Sequence, residues 1–507
     1  MSAHNPHDEV SDDEPDADDN MLGADEVEQE IEDDGDVQMD SGDEEMQEDE
    51  VILLQNDSVA HFDGHKDSIF CIAQHPTRPE IVATGGGDDL GYIWDSTPPP
   101  GPVLPSSYET TPQPRERKGQ DIIAKLEGHK DSINGIAFTL PKGEYVVTAG
   151  LDSQIRVWHD KKGDGTGWIF LAEATEDIED INWIAACPSS DHPNTIALGA
   201  SNGSVWVYTI DAAETSSPLT PVQAYYVHTG PCTAGAWTPD GKLLATVAED
   251  SSLYVWDVWG DAAAAGFGSS QGAQHIIGLT GDDERFLVEG GLYSIAISPG
   301  GALCAVGGAE GAIRVVGLPR FNVPSSSEGQ KGTGARTKHG GGKQAAAKGA
   351  AGSQGQAGQI LASLQAQSDS VETIAFAFPP LTIMAAGSVD GSIVLFDAAH
   401  NFAKRRKIEA AHDEEAVIKL EFVKPSAGGM NGWILTSAGN DGVIRRWDVR
   451  GGTAAAAQGL KGEWKGHRGG GEGGGVMGFV QGFEGGVRVV TAGDDGVGLV
   501  FATPFDR

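Results

Sequence analysis

The stretch Gly64–Asp95, GHKDSIFCIAQHPTRPEIVATGGGDDLGYIWD, decides the fold of this chain. It begins with Gly-His and ends with Trp-Asp, and it holds two short apolar runs separated by turn residues. A Thr, a run of glycines and an Asp precede the closing Trp. Short β-branched and aromatic runs bounded by Gly, Pro and Asp are typical of strands. The stretch therefore predicts β-structure.

The same order of residues recurs along the rest of the chain, so the fold follows from counting the copies. Each copy is located by the residue that closes its third strand and by the turn residue six positions earlier. The pairs are Asp88/Trp94, Asp152/Trp158, Asn202/Tyr208, Asp250/Trp256, Glu310/Val316, Asp390/Phe396, Asp441/Trp447 and Asp495/Phe501. Their shorter spacings approach the period of about 40–45 residues of WD-repeat blades. The longer spacings indicate loops.

This pattern resembles the WD-repeat family, in which four-stranded blades stand around a central channel. In that family a His, a Ser or Thr, an Asp and a Trp form a side-chain network. The resemblance implies this structural network in four blades, with the residues His65, Thr84, Asp88, Trp94; His129, Thr148, Asp152, Trp158; His228, Thr246, Asp250, Trp256; and His412, Ser437, Asp441, Trp447. Buried carboxylates need such donors because an unpaired buried charge is costly.

The other four blades depart from the network pattern. The last one has His467, Thr491 and Asp495, but Phe501 replaces Trp. Blades three, five and six have an apolar residue in place of the hydroxyl, namely Leu198, Val306 and Ala386. We expect apolar packing to hold these three blades.

Closure of the ring sets the predicted blade number. The eighth copy has three strands, and a strand predicted at Ser58–Phe62 has no blade of its own. Pairing the two would complete the last blade and remove two free sheet edges. The predicted fold is an all-β WD-repeat β-propeller of eight blades over residues 51–507, with seven as the alternative if blade five or six is a decorated loop.

Three insertions rich in Pro, Gly, Ala or polar residues interrupt the repeats, at 97–118, 262–283 and 322–368. Such compositions predict flexible loops.

The charge is concentrated at the amino end. The formal net charge is −41, from 75 acidic and 34 basic side chains. Residues 1–50 contain 23 of the acidic side chains and no Lys or Arg, which leaves −18 for the rest. This acidic tail should be disordered because it repels itself and has few apolar groups. It either solubilises the protein or helps to capture a basic ligand.

Several classes of chemistry are disfavoured. The four cysteines, Cys71, Cys187, Cys232 and Cys304, lack metal-ligand spacing and imply no disulfide framework. The Ser/Thr, His and Asp constellation repeats in four blades, whereas a catalytic triad is needed once. We predict no enzyme, no metal and no cofactor. The absence of a secretory signal and of a membrane-spanning run predicts a soluble intracellular protein, and we expect a monomer.

Acidic turns suggest where a partner binds. In a propeller, the turns before the first strand and after the second strand of every blade face the same side, the top. The candidate partner-binding acids in these turns are Asp67, Asp89, Asp131, Glu176, Asp177, Glu179, Asp180, Glu249, Asp283, Glu284, Glu372, Asp413, Glu414, Glu415 and Asp494. Trp183, Trp237 and Tyr293 offer nearby rings for stacking with Arg. Such a face favours a basic peptide and disfavours a phosphate backbone, so no direct nucleic-acid contact is expected.

The acidic leader, the segment DIEDINW in a blade without Gly-His, and the ending TAGDDGVGLVFATPFDR narrow the resemblance. They are similar to the family of the angio-associated migratory cell protein and of an acidic WD-repeat chaperone dedicated to one large-subunit ribosomal protein. That resemblance implies a chaperone that holds the basic N-terminal segment of a ribosomal protein of the universal sixteen class on its top face and supports large-subunit assembly. The cytoplasm is the implied compartment.

Three alternatives stay open at this point. A chaperone of histones or other basic proteins would also be acidic. A scaffold, such as a ubiquitin-ligase substrate receptor, would use a WD-x-R sequence, which Trp447–Arg450 matches. The run Lys404–Lys407 is either a nuclear localisation signal, which would add the nucleus as a compartment, or part of the outer strand of blade six.

Overall fold

The computed structural model describes residues 55–100, 118–175, 179–267, 275–320, 356–425, 431–451, 459–469, 474–482 and 485–505. The chain divides between Leu53 and Leu54, and every described residue belongs to the second unit. The acidic tail lies outside the described residues, and so do most of the insertion at 97–118 and most of that at 322–368.

Eight four-stranded antiparallel sheets follow one another along the chain, so the prediction of an eight-bladed propeller is confirmed. From the innermost to the outermost strand, the first four blades are β2 Ile69–Gln74, β3 Ile81–Gly86, β4 Gly91–Asp95, β5 Ile122–Leu126; β6 Ile133–Phe138, β7 Tyr145–Gly150, β8 Ile155–Asp160, β9 Trp168–Ala174; β10 Ile181–Ala186, β11 Thr195–Ala200, β12 Val205–Ile210, β13 Leu219–Tyr225; and β14 Cys232–Trp237, β15 Leu243–Ala248, β16 Leu253–Asp257, β17 His275–Leu279.

Blades five to eight follow the same order. They are β18 Leu292–Ile297, β19 Leu303–Gly308, β20 Ala312–Gly317, β21 Ile360–Gln365; β22 Val371–Phe376, β23 Ile383–Ser388, β24 Ile393–Asp397, β25 Ala403–Ile408; β27 Val417–Phe422, β28 Ile434–Gly439, β29 Ile444–Asp448, β30 Leu460–Trp464; and β31 Val476–Val480, β32 Arg488–Gly493, β33 Gly498–Ala502, β1 Ala60–Phe62. A short strand, β26 Ala411–Glu414, precedes blade seven.

The seam of the ring lies in blade eight. Strand β1 is shorter than the predicted Ser58–Phe62 and pairs with β33 over three residues, Ala60 with Val500 through Phe62 with Gly498. Phe62 stacks on Trp94 of blade one, with ring centroids 4.7 Å apart and planes 4° from parallel. Both side chains are fully buried. Aromatic packing therefore joins the last blade to the first, in addition to the strand pairing.

The core lies between neighbouring blades, and the second strands form its centre. Strands β3, β7, β11, β15 and β23 are buried along their whole length, which explains their continuous runs of Val, Ile, Ala, Thr and Gly. One cluster combines Val255 and Leu253 of blade four with Cys304, Val306 and Val316 of blade five. Apolar packing thus holds blade five, which lacks the hydroxyl of the WD network, as expected.

Two predicted insertions are shorter than their composition indicated. Within 262–283, strand β17 supplies the outer strand of blade four, and a one-turn helix, α1 Asp261–Ala264, crosses the start of the stretch. Within 322–368, strand β21 supplies the outer strand of blade five. Both strands pair with the third strand of their blade. These backbone hydrogen bonds give an outer strand of mixed polarity an order that the composition of the surrounding stretch does not predict.

Short 3-10 turns occur at Ala309–Gly311, Ala398–His400 and Asn431–Trp433. In the described part of the chain, no helix is long and apolar enough to cross a membrane.

The antiparallel blades fix which loops share a face. The connection into a first strand and the turn between the second and third strands meet at the same end of a blade, and we call this end the top. Neighbouring blades are in close contact there. A Cβ added at Gly391, in the top turn of blade six, would lie 2.3 Å from the main-chain oxygen of Asp413, which leads into blade seven. A Cβ at Gly496 would lie 3.0 Å from the oxygen of Asp67 across the seam.

Candidate functional site

The His–Thr–Asp–Trp residues form hydrogen-bonded networks beneath the top face. In blade one, His65 Nδ1 lies 2.9 Å from Asp88 Oδ1, and His65 Nε2 lies 3.0 Å from Thr84 Oγ1. Trp94 Nε1 donates to the same hydroxyl at 3.3 Å. Blade seven has the same arrangement with Ser437 as the hydroxyl, 2.7 Å from His412 Nε2 and 2.8 Å from the indole of Trp447.

Blades two, four and eight vary the arrangement. His129 and His467 each contact the Asp and the Thr of their own blade. In blade four, His228 does not hydrogen-bond to Asp250 directly, because His228 Nδ1 and Asp250 Oδ1 are 3.9 Å apart. Instead Ser252 Oγ lies 2.6 Å from His228 Nδ1 and donates to Asp250. The sequence pattern did not predict this relay through Ser252.

The half-buried Asp side chains of the top turns are already hydrogen-bonded within their own blades. Burial alone would raise the pKa of Asp88, but hydrogen bonds from His65 and from backbone N–H groups outweigh it and lower the pKa. In the same way, burial would raise the pKa of Asp390, and hydrogen bonds from Ser368 and Ser392 lower it to about 2. These carboxylates are ionised and already satisfied, so a partner has to be bound by other acids.

Thirteen of the fifteen predicted partner-binding acids lie in the described residues, and Glu176 and Asp177 lie outside them. Eight are exposed: Asp67, Asp131, Glu179, Asp180, Glu249, Glu284, Asp413 and Glu414. Five are half-buried: Asp89, Asp283, Glu372, Glu415 and Asp494. All thirteen lie in connections or first-strand positions at the top end, and every one of the eight blades or its entry carries at least one of them.

Several of these acids have internal partners. Asp283 accepts from both Nε (2.9 Å) and Nη2 (2.6 Å) of Arg285, so its charge is neutralised within one turn. Glu415 Oε2 accepts from Asn440 at 3.2 Å. Asp413 lies 3.8 Å from Arg445, a buried cation that also contacts Asp441 and Glu463. The negative charge of the top face is therefore uneven, and it is weaker at Asp283 and Asp413.

Every first strand carries a register shift that the sequence did not reveal. In each blade the pairing with the second strand skips the second residue of the first strand. The skipped residues are Phe70, Asn134, Asn182, Thr233, Tyr293, Glu372, Ile418 and Met477. Such a bulge redirects a side chain out of the regular pleat. The eight bulges form a ring at the top of the channel, and Glu372 is its charged member.

Glu249, Tyr293 and Glu372 belong to three neighbouring blades, four, five and six. Burial, with the nearby charge of Asp369, raises the pKa of Glu372. Burial also raises the pKa of the Tyr293 phenol, and the charges of Glu249 and Glu372 add to this effect. The phenol donates to the main-chain oxygen of Gly290, which orients the ring. A cation placed here would relieve a poorly solvated carboxylate and contact an aromatic ring. We call these three residues the Glu372 cluster.

The two tryptophans proposed for stacking have other roles. Trp237 is 8% exposed and donates to the main-chain oxygen of Ala185 at 3.2 Å. Trp183 donates to Cys232 Sγ at 3.4 Å and covers Gly235, where a Cβ would lie 2.1 Å from its ring. Both rings pack between blades three and four. Tyr293 is the predicted aromatic residue that lies beside the top-face acids.

Asp89 has an unusual backbone conformation. Its φ of 60° places it in the left-handed region, as at Ser153 and Ser251 in blades two and four. Blades three, six, seven and eight have glycine at this position of the top turn, for example Gly391 with a φ of 73°. A residue with a Cβ is disfavoured in this conformation, although Asp tolerates it better than most. The conformation belongs to the top turn itself, because it recurs at the equivalent position of the other blades.

Comparisons with known proteins support the assignment of this chain to the WD-repeat family. The WD domain, G-beta repeat family matches residues 56–95, 120–159 and 219–257. An uncharacterised WD repeat-containing protein of Schizosaccharomyces pombe is 33% identical over 496 residues, which are 95% of this chain and 96% of that protein. The crystal structure of Chaetomium thermophilum Sqt1 bound to the N-terminus of the ribosomal protein L10 is 50% identical, with a TM-score of 0.73, and covers 88% of this chain and 100% of that one. The chain belongs to the WD-repeat family of Sqt1.

Two further relatives agree with this assignment. The ribosome assembly protein SQT1 of Saccharomyces cerevisiae is 31% identical over 226 residues, 43% of this chain and 46% of that protein. The human angio-associated migratory cell protein is 21% identical over 411 residues, 78% of this chain and 71% of that protein. The predicted resemblance to both proteins is confirmed.

The repeats that the family pattern matches are blades one, two and four of this Sqt1-family propeller. These blades have the complete set of His, Thr, Asp and Trp. The other five blades are identified by the pairing of their strands. In this chain, the repeats that the family pattern matches therefore describe three of the eight blades.

Proposed function

We propose that this protein is a dedicated chaperone of a large-subunit ribosomal protein. It binds the basic N-terminal segment of that protein on the acidic top face and supports assembly of the large ribosomal subunit. The observation that carries the proposal is the 50% identity, over the whole of the compared chain, with an Sqt1 that was solved bound to the N-terminus of ribosomal protein L10. The relative in Saccharomyces cerevisiae is named a ribosome assembly protein.

The electrostatics of the top face support a basic ligand. Clustered carboxylates raise the local concentration of a cationic peptide and select against anions. A ribosomal protein segment rich in Arg and Lys would otherwise bind RNA or aggregate. Capture by carboxylates neutralises its charge, and rRNA phosphates later compete for the same cations. No step in this scheme requires bond making or breaking, so the proposed activity is binding without catalysis.

Within the top face, we assign the primary contact to the Glu372 cluster. Glu372 is the charged member of the bulge ring, and its carboxylate is penalised by burial and by Asp369. A guanidinium that reaches Glu372 would form an ion pair shielded from solvent and would stack on the ring of Tyr293. The exposed acids Glu179, Asp180 and Glu414 then serve as outer contacts, which attract the peptide but contribute less affinity each because solvent screens them.

The test is an isothermal titration calorimetry experiment in which a synthetic peptide of the L10 N-terminus is titrated into the full chain at several salt concentrations. The charge reversals are E414K/E415K and E179K/D180K. The control D211K/E214K changes two exposed acids in the turn after β12, at the opposite end of blade three. We expect each top-face reversal to weaken binding at least about tenfold, or about 1.4 kcal/mol, and the control to change it less than twofold. Unchanged affinity in both top-face variants would show that the top face is not the site.

A second arm separates a dedicated chaperone from a general one. A scrambled peptide with the composition of the L10 N-terminus, and a histone tail peptide of equal charge, should bind more weakly than the native order. Equal affinity for all three would favour a chaperone of basic proteins in general. The scaffold alternative gains little from the structure, because Arg450 of the WD-x-R sequence is bound by Asp448, with Nε 2.9 Å from Oδ1.

We place this activity in the cytoplasm, where ribosomal proteins are synthesised. The run Lys404–Lys407 does not support a nuclear alternative. It forms most of strand β25, and Arg406 within it is 1% exposed. An import receptor binds an extended basic peptide, so strand β25 would have to leave blade six before it could be recognised.

A further inference from the structure

The outer edge of blades six and seven carries a basic surface on an otherwise acidic protein. We call it the basic rim and define it as Lys404, Arg405 and Lys407 on β25, Arg450 after β29, and Lys461 on β30. Lys404, Arg450 and Lys461 are exposed or nearly half exposed, the last two with 43% and 46% of their side chains accessible. Such a concentration of cations is unexpected in a chain of net charge −41.

Contacts between the two blades hold the rim together. Arg405 Nη2 donates to the main-chain oxygen of Arg450 at 3.0 Å, and its guanidinium lies 5.8 Å from the centre of the Trp433 ring. The buried Arg406 donates to the main-chain oxygen of Asp448 at 3.3 Å. Arg405 and Arg406 therefore have fixed positions on β25, so less side-chain freedom is lost when a ligand binds Arg405.

The charge of the rim is only partly compensated. Asp448 is shared by Arg450, at 2.9 Å, and by Lys461, at 3.9 Å. One carboxylate thus faces two cations there. Arg406 adds a further positive charge behind the strand, and its Nε and Nη2 have no hydrogen-bond partner among the described residues. The surplus of positive charge favours a ligand that carries several anionic groups.

The location separates the rim from the top face. Trp433 lies in the turn between the first and second strands of blade seven, and Arg450 follows its third strand, so both mark the bottom end of the blade. A peptide bound over the top of the channel would leave this edge free.

We propose that the basic rim is a docking site for the phosphodiester backbone of single-stranded RNA. The phosphates along a flexible RNA chain can pair with the cations along the two β-strands. Lys and Arg bind phosphates without reading the bases. A strand can reach a narrow rim without approaching the acidic surfaces beside it. An anionic membrane would bring its whole plane against them and be repelled. The overall charge predicts no direct nucleic-acid contact, and the rim is a local exception to it. This inference does not depend on the identity of the ribosomal protein.

The experiment measures fluorescence anisotropy of a labelled uridine 20-mer RNA with the full chain at 25 to 150 mM KCl. The test variants are K404E/K407E/K461E and its alanine counterpart, which leave the buried Arg406 and the pinned Arg405 in place. The control K142E/K161E/K162E changes three exposed lysines of blade two by the same total charge. Thermal unfolding midpoints verify that all variants are folded, and L10-peptide binding should be unchanged in every one.

We expect the wild-type chain to bind the RNA at low salt, with the logarithm of affinity falling against that of salt at a slope of about −2 for three phosphate contacts. The glutamate variant should lose at least about tenfold in affinity, the alanine variant several-fold, and the control less than twofold. Absence of binding at 25 mM KCl, or an equal loss in the control, would overturn the proposal. So would capture by the rim of polyglutamate or of anionic lipid vesicles in preference to RNA.

Discussion

Ser68 Oγ donates a hydrogen bond of 2.6 Å to the carboxylate of Asp494, and so connects the entry of blade one to the top turn of blade eight. The same hydroxyl lies 2.9 Å from the main-chain oxygen of Asp494. The two residues are 426 positions apart in the chain. The ring is thus closed on its top face by a polar contact, in addition to strand β1 at its outer edge. Asp494 consequently has a structural role as well as a place among the candidate binding acids.

Replacement of Ser68 by Ala should destabilise the seam. The loss of one hydrogen bond to an ionised group predicts a decrease of about 1–3 kcal/mol in the free energy of unfolding, measurable as a shift of the urea midpoint. Ser132 occupies the equivalent position in blade two, and S132A serves as the control. If the two variants unfold at the same urea concentration, the Ser68–Asp494 contact does not contribute to closure.

The network of blade four can be tested with Thr246→Val, which removes a hydroxyl and keeps the shape. His228 Nε2 and Trp256 Nε1 both lie 2.8 Å from this hydroxyl and would lose their partner in the core. We expect a loss of about 2–3 kcal/mol in unfolding free energy. Thr220→Val, on the exposed part of β13, should change it by less than about 0.5 kcal/mol. Equal effects would mean that the buried hydroxyl is not needed.

Asp89→Gly separates binding from stability at the top face. Glycine adopts the positive φ of this position without a steric penalty, so the unfolding midpoint should stay constant or rise. The loss of one carboxylate should weaken binding of the L10 peptide several-fold in calorimetry. The comparison is with S153G, which relieves the same backbone conformation in blade two without removing a charge. An affinity for D89G equal to that of S153G would exclude Asp89 from the site.

Glu372→Gln should weaken binding without loss of stability. Burial and the charge of Asp369 raise the pKa of Glu372, so at pH 7 its ionised form lowers the stability of the folded state. The amide removes this penalty, and the thermal midpoint should be unchanged or higher. Binding should fall about tenfold because the desolvated ion pair is lost. Glu421→Gln, a half-buried residue near the other end of a first strand, should leave affinity unchanged.

The raised pKa of Glu372 also predicts a pH dependence of binding. As the pH falls from 7, this carboxylate should be protonated before ordinary glutamates, and peptide affinity should begin to fall at a correspondingly higher pH. In the E372Q variant the fall should begin at lower pH, where the remaining acids titrate. Calorimetry between pH 7 and pH 4.5 with a peptide free of histidine measures this difference. Identical pH profiles for the two proteins would argue against a role for Glu372.

The repeated turn residues allowed the fold to be predicted, because each Asp or Asn and each closing aromatic residue has a local cause. A tight turn needs a short acceptor such as Asp441, and a buried third strand needs a large ring such as Trp447. Outer strands β17 and β21 were assigned to insertions, because their residues have mixed polarity and their order comes from pairing with strands that are already in place. The relay through Ser252 was missed because it depends on a gap of 3.9 Å between His228 and Asp250.

The sequence by itself determined the eight blades, the excess of acid and the set of turns that face one side, since local patterns and composition are sufficient for each. The tertiary structure decided which acids are available. It neutralises Asp283 with Arg285, ties Asp494 to Ser68, and brings the charges of Glu249 and Glu372, from two other blades, near enough to the Tyr293 phenol to raise its pKa. It also buries Arg406 while its neighbours in the basic rim stay accessible. The pKa and availability of a side chain depend on burial and on neighbours distant in the chain, and those follow from how the blades pack around the ring.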